Sequence, residues 1–185
     1  HCWGLDGFGA ATVPPLTNPI QVDTRDVHTC ALDKNGLTCW GRNNAGQIDV
    51  PDNLSFSRTV TISGSTTTST DDSSSVSSEI PATIPQLTPS IVNRVSAGKE
   101  HTCVIHDDGV ACWGNNTFGQ TNVPPKITNP IQIVTGRYHS CVLDDNGVKC
   151  WGITNANYIE DIDVLNPPDL INPRQVSAYA GELNC

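Results

Sequence analysis

Methionine is absent from the 185 residues, even at the first position. The sequence therefore reads as a mature or trimmed chain whose signal peptide, if any, is gone. Basic residues are scarce: ten Lys and Arg stand against nineteen Asp and Glu, a net charge of −9. That balance excludes nucleic acid as a partner, because binding it needs a basic face. Long apolar runs are missing, and no stretch approaches the roughly 20 residues that span a bilayer, so membrane insertion is not expected. Helical windows are missing too. Thirteen prolines and fifteen glycines interrupt nearly all of them, and only Ile153 to Leu165 leaves room for a short helical turn. Catalytic motifs are not found: there is no Gly-x-Ser-x-Gly, no phosphate-cradling glycine loop and no reactive unpaired cysteine. The expectation is a protein that is not an enzyme and takes no cofactor.

What the chain does contain is a ten-residue stretch repeated three times. It runs Cys30 to Cys39, Cys103 to Cys112 and Cys141 to Cys150. Each copy is preceded by His-Ser/Thr (His28-Thr29, His101-Thr102, His139-Ser140) and followed by Trp-Gly (Trp40-Gly41, Trp113-Gly114, Trp151-Gly152). A fourth copy is split: the chain opens His1-Cys2-Trp3-Gly4 and finishes Asn184-Cys185.

Asn-Gly or Asp-Gly between two short apolar runs predicts a β-hairpin. With Asp33 to Gly36 as a four-residue loop and Gly36 supplying positive φ, Cys30 faces Cys39 and Leu32 faces Leu37. Period two then puts all four on one side. The same holds for Cys103, Ile105, Val110 and Cys112, and for Cys141, Leu143, Val148 and Cys150. A cross-strand disulfide in each hairpin is geometrically reasonable. Pairing this regular places the protein in an oxidising compartment, outside the cell or on its surface. Two sequons, at Asn53 and Asn115, are candidate glycosylation sites compatible with that location.

The hairpins sit in a longer unit. After Trp-Gly come Gly46-Gln47 or Gly119-Gln120, then Val13-Pro14-Pro15, Val50-Pro51 or Val123-Pro124-Pro125. Asn18-Pro19-Ile20 or Asn129-Pro130-Ile131 follow, then Val22 or Val134. The tryptophans at 3, 40, 113 and 151 are spaced by 37, 73 and 38 residues. A period near 37 with strand signals predicts propeller blades in a single domain, 1–185. The double step means either a decayed repeat or an inserted loop. Residues 63–78, rich in Ser, Thr and Asp, read as a mobile surface loop, or as an O-glycosylated or partner-docking arm. The flanks, 58–62 and 92–96, alternate as strands do, which would make a fifth, disulfide-free blade.

The unit V-x-x-G-x-x-H-[ST]-C-x-[LI]-x-x-x-G-x-x-C-W-G-x-N-x-x-G-Q-x-x-V-P resembles the regulator of chromosome condensation repeat. It is most similar to the disulfide-bearing extracellular version in crinkly-type plant receptor kinases and in secreted bacterial proteins. The match is strong over 93–152, good over 1–51, weaker over 153–185 and absent over 57–90. The resemblance implies four-stranded antiparallel blades round an axis, with one blade built from both chain ends, as the split motif suggests. Well-known members have seven blades; this chain has four clear repeats and a candidate degenerate fifth. Nuclear members act as exchange factors on a small GTPase and contact chromatin, activities that the acidic charge and disulfides argue against here.

Several residue sets resemble sites of chemistry. His28, His101 and His139 with the hairpin cysteines could make a zinc site, but the spacing is poor and a fourth ligand is missing. Asp33 to Gly36, His106 to Gly109 and Asp144 to Gly147 resemble calcium-loop fragments without the downstream Glu. The four tryptophans could stack on sugars, or pack between blades. Cys2 and Cys185 are read as a pair, either closing one chain or joining subunits head to tail. The sequence thus points to a structural or scaffold protein, its partner copies of itself in a filament-like assembly. The alternative is a secreted or ectodomain propeller binding another extracellular protein.

Overall fold

The computed structural model describes residues 2–4, 6–56, 94–152 and 173–178. All regular elements among them are strands, arranged in three antiparallel sheets of three. Sheet 1 holds β1 (Gln21–Arg25), β2 (His28–Asp33) and β3 (Gly36–Gly41). Sheet 2 holds β4 (Val95–Ala97), β5 (His101–His106) and β6 (Gly109–Gly114). Sheet 3 holds β7 (Gln132–Thr135), β8 (His139–Asp144) and β9 (Gly147–Gly152). Blades of four strands were expected; the described residues supply three to each sheet. The helical turn considered at Ile153 to Leu165 lies outside them.

The hairpin register is the expected one. Cys30 pairs with Cys39 and Leu32 with Leu37, and the other two hairpins repeat this pairing. The turn is tighter than the expected four-residue loop. The strands run on to Asp33 and Gly36, leaving Lys34 and Asn35 between them. Gly36 carries a φ of +124°, open to glycine at little cost. The three disulfides join directly opposed residues, with Cα–Cα distances of 4.0, 4.1 and 4.0 Å. Each closes a short loop, a constraint that stabilises by about 2–3 kcal/mol.

The alternation that aligns the cysteines also builds the core. The disulfide side of each hairpin packs on the next sheet. Cys30 and Leu37 meet Val95, Val104 and Trp113 of sheet 2. Cys103, Ile105 and Val110 meet Ile133, Val142 and Trp151 of sheet 3. Cys141, Leu143 and Val148 meet Val176 and Ala178. The sheets therefore stack in series, and residues 173–178 pack against the third. The Gln132 carboxamide brackets the backbone of Val176 (2.7 and 2.8 Å) as that of Gln21 brackets Arg94 and Val95. The register also corrects one equivalence: Ile133, not Val134, holds the place of Val22.

The double step is resolved by a backbone carbonyl. The carbonyl of Thr17 accepts the Lys34 amide, and that of Thr128 accepts the Asp145 amide. In sheet 2 the same bond runs from the Asp107 amide to Ser55. From this carbonyl to the first strand the chain takes four residues in sheets 1 and 3, Thr17 to Gln21 and Thr128 to Gln132. In sheet 2 it takes 39, Ser55 to Arg94. Sheets 1 and 2 meanwhile touch directly through Gln21, Asp23 and His28, so no fifth blade stands between them. The strand expected at 92–96 belongs to sheet 2 as β4. Both 58–62 and 63–78 fall outside the described residues.

Candidate functional site

One group of residues recurs at every junction between sheets. After hairpin 1 the chain turns through Gly46-Gln47, and the Gln47 carbonyl accepts two bonds from sheet 2. One comes from the Thr102 hydroxyl (2.9 Å) and one from the Trp113 indole (3.1 Å). The Gln120 carbonyl takes the Ser140 hydroxyl and Trp151 indole of sheet 3, both at 2.9 Å. The Ala10 carbonyl takes Thr29 (3.1 Å) and Trp40 (2.9 Å) of sheet 1. The buried glutamine side chain fixes its own loop, accepting the amide of Ala45 or Phe118. The Gly-Gln, Ser/Thr and Trp positions are thus one device, and three of the four tryptophans are spent on it. Trp3 departs from the expected packing: it is 89% exposed, because no described residue pairs with the Cys2–Gly4 arm.

The histidines complete the device. His28 Nε2 lies 2.9 Å from Thr102 Oγ1, and His101 Nε2 lies 3.0 Å from Ser140 Oγ. Each hydroxyl already spends its proton on a carbonyl. It can only accept from the imidazole, so both rings are Nε2–H tautomers. Their Nδ1 atoms are buried without a partner. Burial holds the imidazolium form off: the pKa of His28 falls to about 4 and that of His101 to about 3, the latter also disfavoured by neighbouring His139, His28 and Arg25. As metal ligands these histidines are badly placed. The nearby cysteines are tied in disulfides, and no group of three His, Cys, Asp or Glu converges among the described residues.

The calcium-loop candidates are turn chemistry. Asp33 accepts the amides of Asn35 (2.7 Å) and Thr17 (2.6 Å), bonds that lower its pKa. Asp144 does the same with Asn146 and Thr128, and pairs with Lys149. Of the sequons, Asn53 is exposed, whereas the Asn115 carboxamide donates to Glu100 (3.1 Å) and accepts from Thr117 and Gln120. In a secretory host, mass spectrometry of the glycopeptides should find sugar on Asn53 and not on Asn115. Cys2 is half-buried and has no disulfide partner among the described residues; Cys185 lies outside them. Among the described residues no helix is long and apolar enough to cross a membrane.

An open cleft of about 920 Å3 lies where the long connection leaves and rejoins the fold. The turn residues Lys34 and Asn35, with Ile20 and Leu37, form one wall; Leu54, Phe56 and Arg94 form the other. No sequence signal marked it. The cleft depends on two segments, one on each side of the extra 35 residues.

The regulator of chromosome condensation (RCC1) repeat model matches residues 26–47, 92–120 and 131–158. The second match starts at the end of the long connection. No curated protein matches the chain. Among solved structures, the ectodomain of the Physcomitrella patens receptor kinase CR4 is 21% identical, with a TM-score of 0.58 over 96% of this chain and 41% of that one. The CRINKLY WD40 ectodomain of the Arabidopsis thaliana receptor kinase ACR4 is 19% identical, with a TM-score of 0.51 over 88% and 43%. A structure of Kap60 bound to yeast RCC1 (Prp20) matches at 15% identity and a TM-score of 0.53, over 91% and 42%. The chain thus spans less than half the length of each, and at these identities the likeness shows the fold alone. Three segments that match the RCC1 repeat model fold as successive sheets with the same junctions, and the likeness to these solved structures shows a propeller-type fold.

Proposed function

We propose that the chain is a non-catalytic, extracellular protein-binding module that meets its partner around the cleft beside the long connection. The observation carrying this reading is where the repeat is broken. Buried polar side chains at the junctions are consumed in holding sheets together, whereas the one enlarged connection opens at a cleft with apolar walls and basic rims, Lys34 and Arg94. Loops on a rigid scaffold are where binding surfaces concentrate. Three disulfides favour an oxidising, extracellular setting. The fold is shared with receptor ectodomains, which supports ligand binding ahead of a filament subunit.

The test replaces residues 56–93 by Asn-Pro-Ile, the connection used at 129–131. This shortened chain should keep its thermal stability and lose binding to the extracellular protein that the intact chain selects from a displayed library of secreted domains. Equal binding by both forms would sink the proposed surface. Concentration-dependent self-association, with Cys2 linked to Cys185 of another chain in peptide maps, would instead establish the scaffold reading.

A further inference from the structure

The cleft at the long connection carries a charge that the repeat does not predict. Lys34 holds the place of Asp107 in sheet 2 and Asp145 in sheet 3. The backbone amide of each donates to a connection carbonyl, that of Thr17, Ser55 and Thr128 in turn. Arg94 holds the place of Gln21 and Gln132, standing before Val95 as these stand before Val22 and Ile133. Phe56 follows Ser55 where Asn18 follows Thr17 and Asn129 follows Thr128; both asparagines have positive φ, 51° and 48°. An acid, a glutamine and an asparagine are thus exchanged for two cations and an aromatic ring. The three exchanges are far apart in sequence and meet in the lining of one cleft.

The fold does not account for them. Gln21 and Gln132 spend their carboxamides on the backbone of a neighbouring segment. Arg94 uses its backbone amide but makes no side-chain hydrogen bond among the described residues, so that clamp is given up. Neither Lys34 nor Arg94 forms an ion pair among the described residues. Lys34 is exposed and Arg94 half-buried. The one acidic side chain in the lining, Asp33, is 6% exposed and spends its two oxygens on the Asn35 and Thr17 amides. In a chain of net charge −9 the cleft is therefore locally cationic. Half-buried Leu37, Leu54 and Phe56 give it apolar walls.

We infer that this cleft takes an extended segment of the partner protein, a short apolar run flanked by carboxylates. Arg94 receives one carboxylate through parallel N–H donors, and Lys34 receives another as a point charge. The apolar side chains enter against Leu37, Leu54 and Phe56, where burial supplies most of the affinity. The charges set register and reject basic segments. A volume of about 920 Å3 is enough for several side chains at once. This inference rests on the cleft being the partner site and adds the chemistry of what it takes.

Three bead-bound pools of hexapeptides serve as probes. All have Leu, Ile or Phe at the two central positions. The flanks are Asp or Glu in one pool, Asn or Gln in the second, and Lys or Arg in the third. The acidic pool should hold the full chain at least tenfold more tightly than the other two, and this preference should shrink as salt is raised. Lys34→Asp with Arg94→Gln, the residues of the other repeats, should weaken that binding at least tenfold. Lys99→Asp with Arg137→Gln makes the same change of charge away from the cleft and should weaken it less than twofold. Should the first pair fail to fold, Lys34→Gln alone, at an exposed turn, must still weaken binding at least threefold. Equal retention on the three pools, or equal losses in the two pairs, overturns the inference. So does retention seen only once residues 56–93 are shortened, which gives the cleft to the chain's own connection, or stronger retention on heparin, which gives it to an anionic glycan. A secreted partner that binds at the cleft and tolerates Lys34→Asp with Arg94→Gln would end the charge reading and leave the cleft as its site.

Discussion

Acidification from pH 7 to pH 5 should remove about 4 kcal/mol of folding stability, about half through His28 and half through His101. In the unfolded chain both imidazoles take up a proton as the pH falls through about 6.5. In the folded chain they resist until about pH 4 and about pH 3. Groups with depressed folded pKa values of this kind contribute stability that is intact above pH 6.5 and drains away as the pH falls towards 3 to 4. The cause is local. Each ring sits in a dry junction, its Nε2–H is committed to a hydroxyl, and its Nδ1 is buried without a hydrogen-bond partner. Asp26 works weakly against the shift at His28, and Arg25 works with it at His101. The carboxylates do not mimic this window. Asp33 and Asp144 are held below the usual range, so their losses fall at lower pH, while burial raises Asp23, which regains stability with acid. Thermal melts at pH 7, 6 and 5 should show Tm falling by about 10 °C, given the few degrees per kcal/mol of a domain this size. Replacing both histidines with Asn, which retains a donor towards the hydroxyl, should flatten the profile. A wild-type Tm that is level across this range would refute the account.

Gly152→Ala should cost about 3–5 kcal/mol, the range of backbone strain combined with overpacking. Gly152 has a φ of +113°, and an added Cβ would lie 2.4 Å from the Tyr138 carbonyl oxygen and 2.8 Å from the His139 Cα. Both obstacles are backbone of the facing strand, fixed by the hairpin register, and neither can swing aside. Gly41 and Gly114 meet the equivalent atoms at 2.6 to 2.9 Å and should behave alike. Gly4 supplies the control. It has the same kind of φ, +126°, and nothing within 4 Å of a Cβ. Gly4→Ala should therefore cost only the conformational penalty of about 1–2 kcal/mol. Denaturant melts of the two variants separate strain from collision; equal losses would show that the facing strand yields.

The hairpins were legible because everything that fixes them is local. Alternation, a two-residue turn and a glycine set the register, and the register sets which cysteines meet. The junctions were half legible. Gly-Gln, Ser/Thr and Trp stood out by recurrence, but their common partner is a backbone carbonyl, which has no sequence signature. The contact between Gln47 and Trp113 crosses 66 residues. For the same reason the double step stayed ambiguous between a decayed blade and an insertion, since only the Ser55 carbonyl shows where the repeat resumes. Trp3 misled because a motif residue was expected to pack wherever the motif appears, and packing requires the facing arm.

The bonds to the junction carbonyls all point one way along the chain. The carbonyl that receives a tryptophan and a hydroxyl always belongs to the earlier loop, and the donors to the later sheet. A growing polypeptide leaving the ribosome would find each acceptor in place before its donors were synthesised. Every new hairpin could then close against a finished neighbour, without waiting for the whole molecule. Assembly by accretion of this kind suits an architecture whose units bond mainly to their neighbours, and it gives the chain a preferred direction of growth that its near-identical repeats would not by themselves possess.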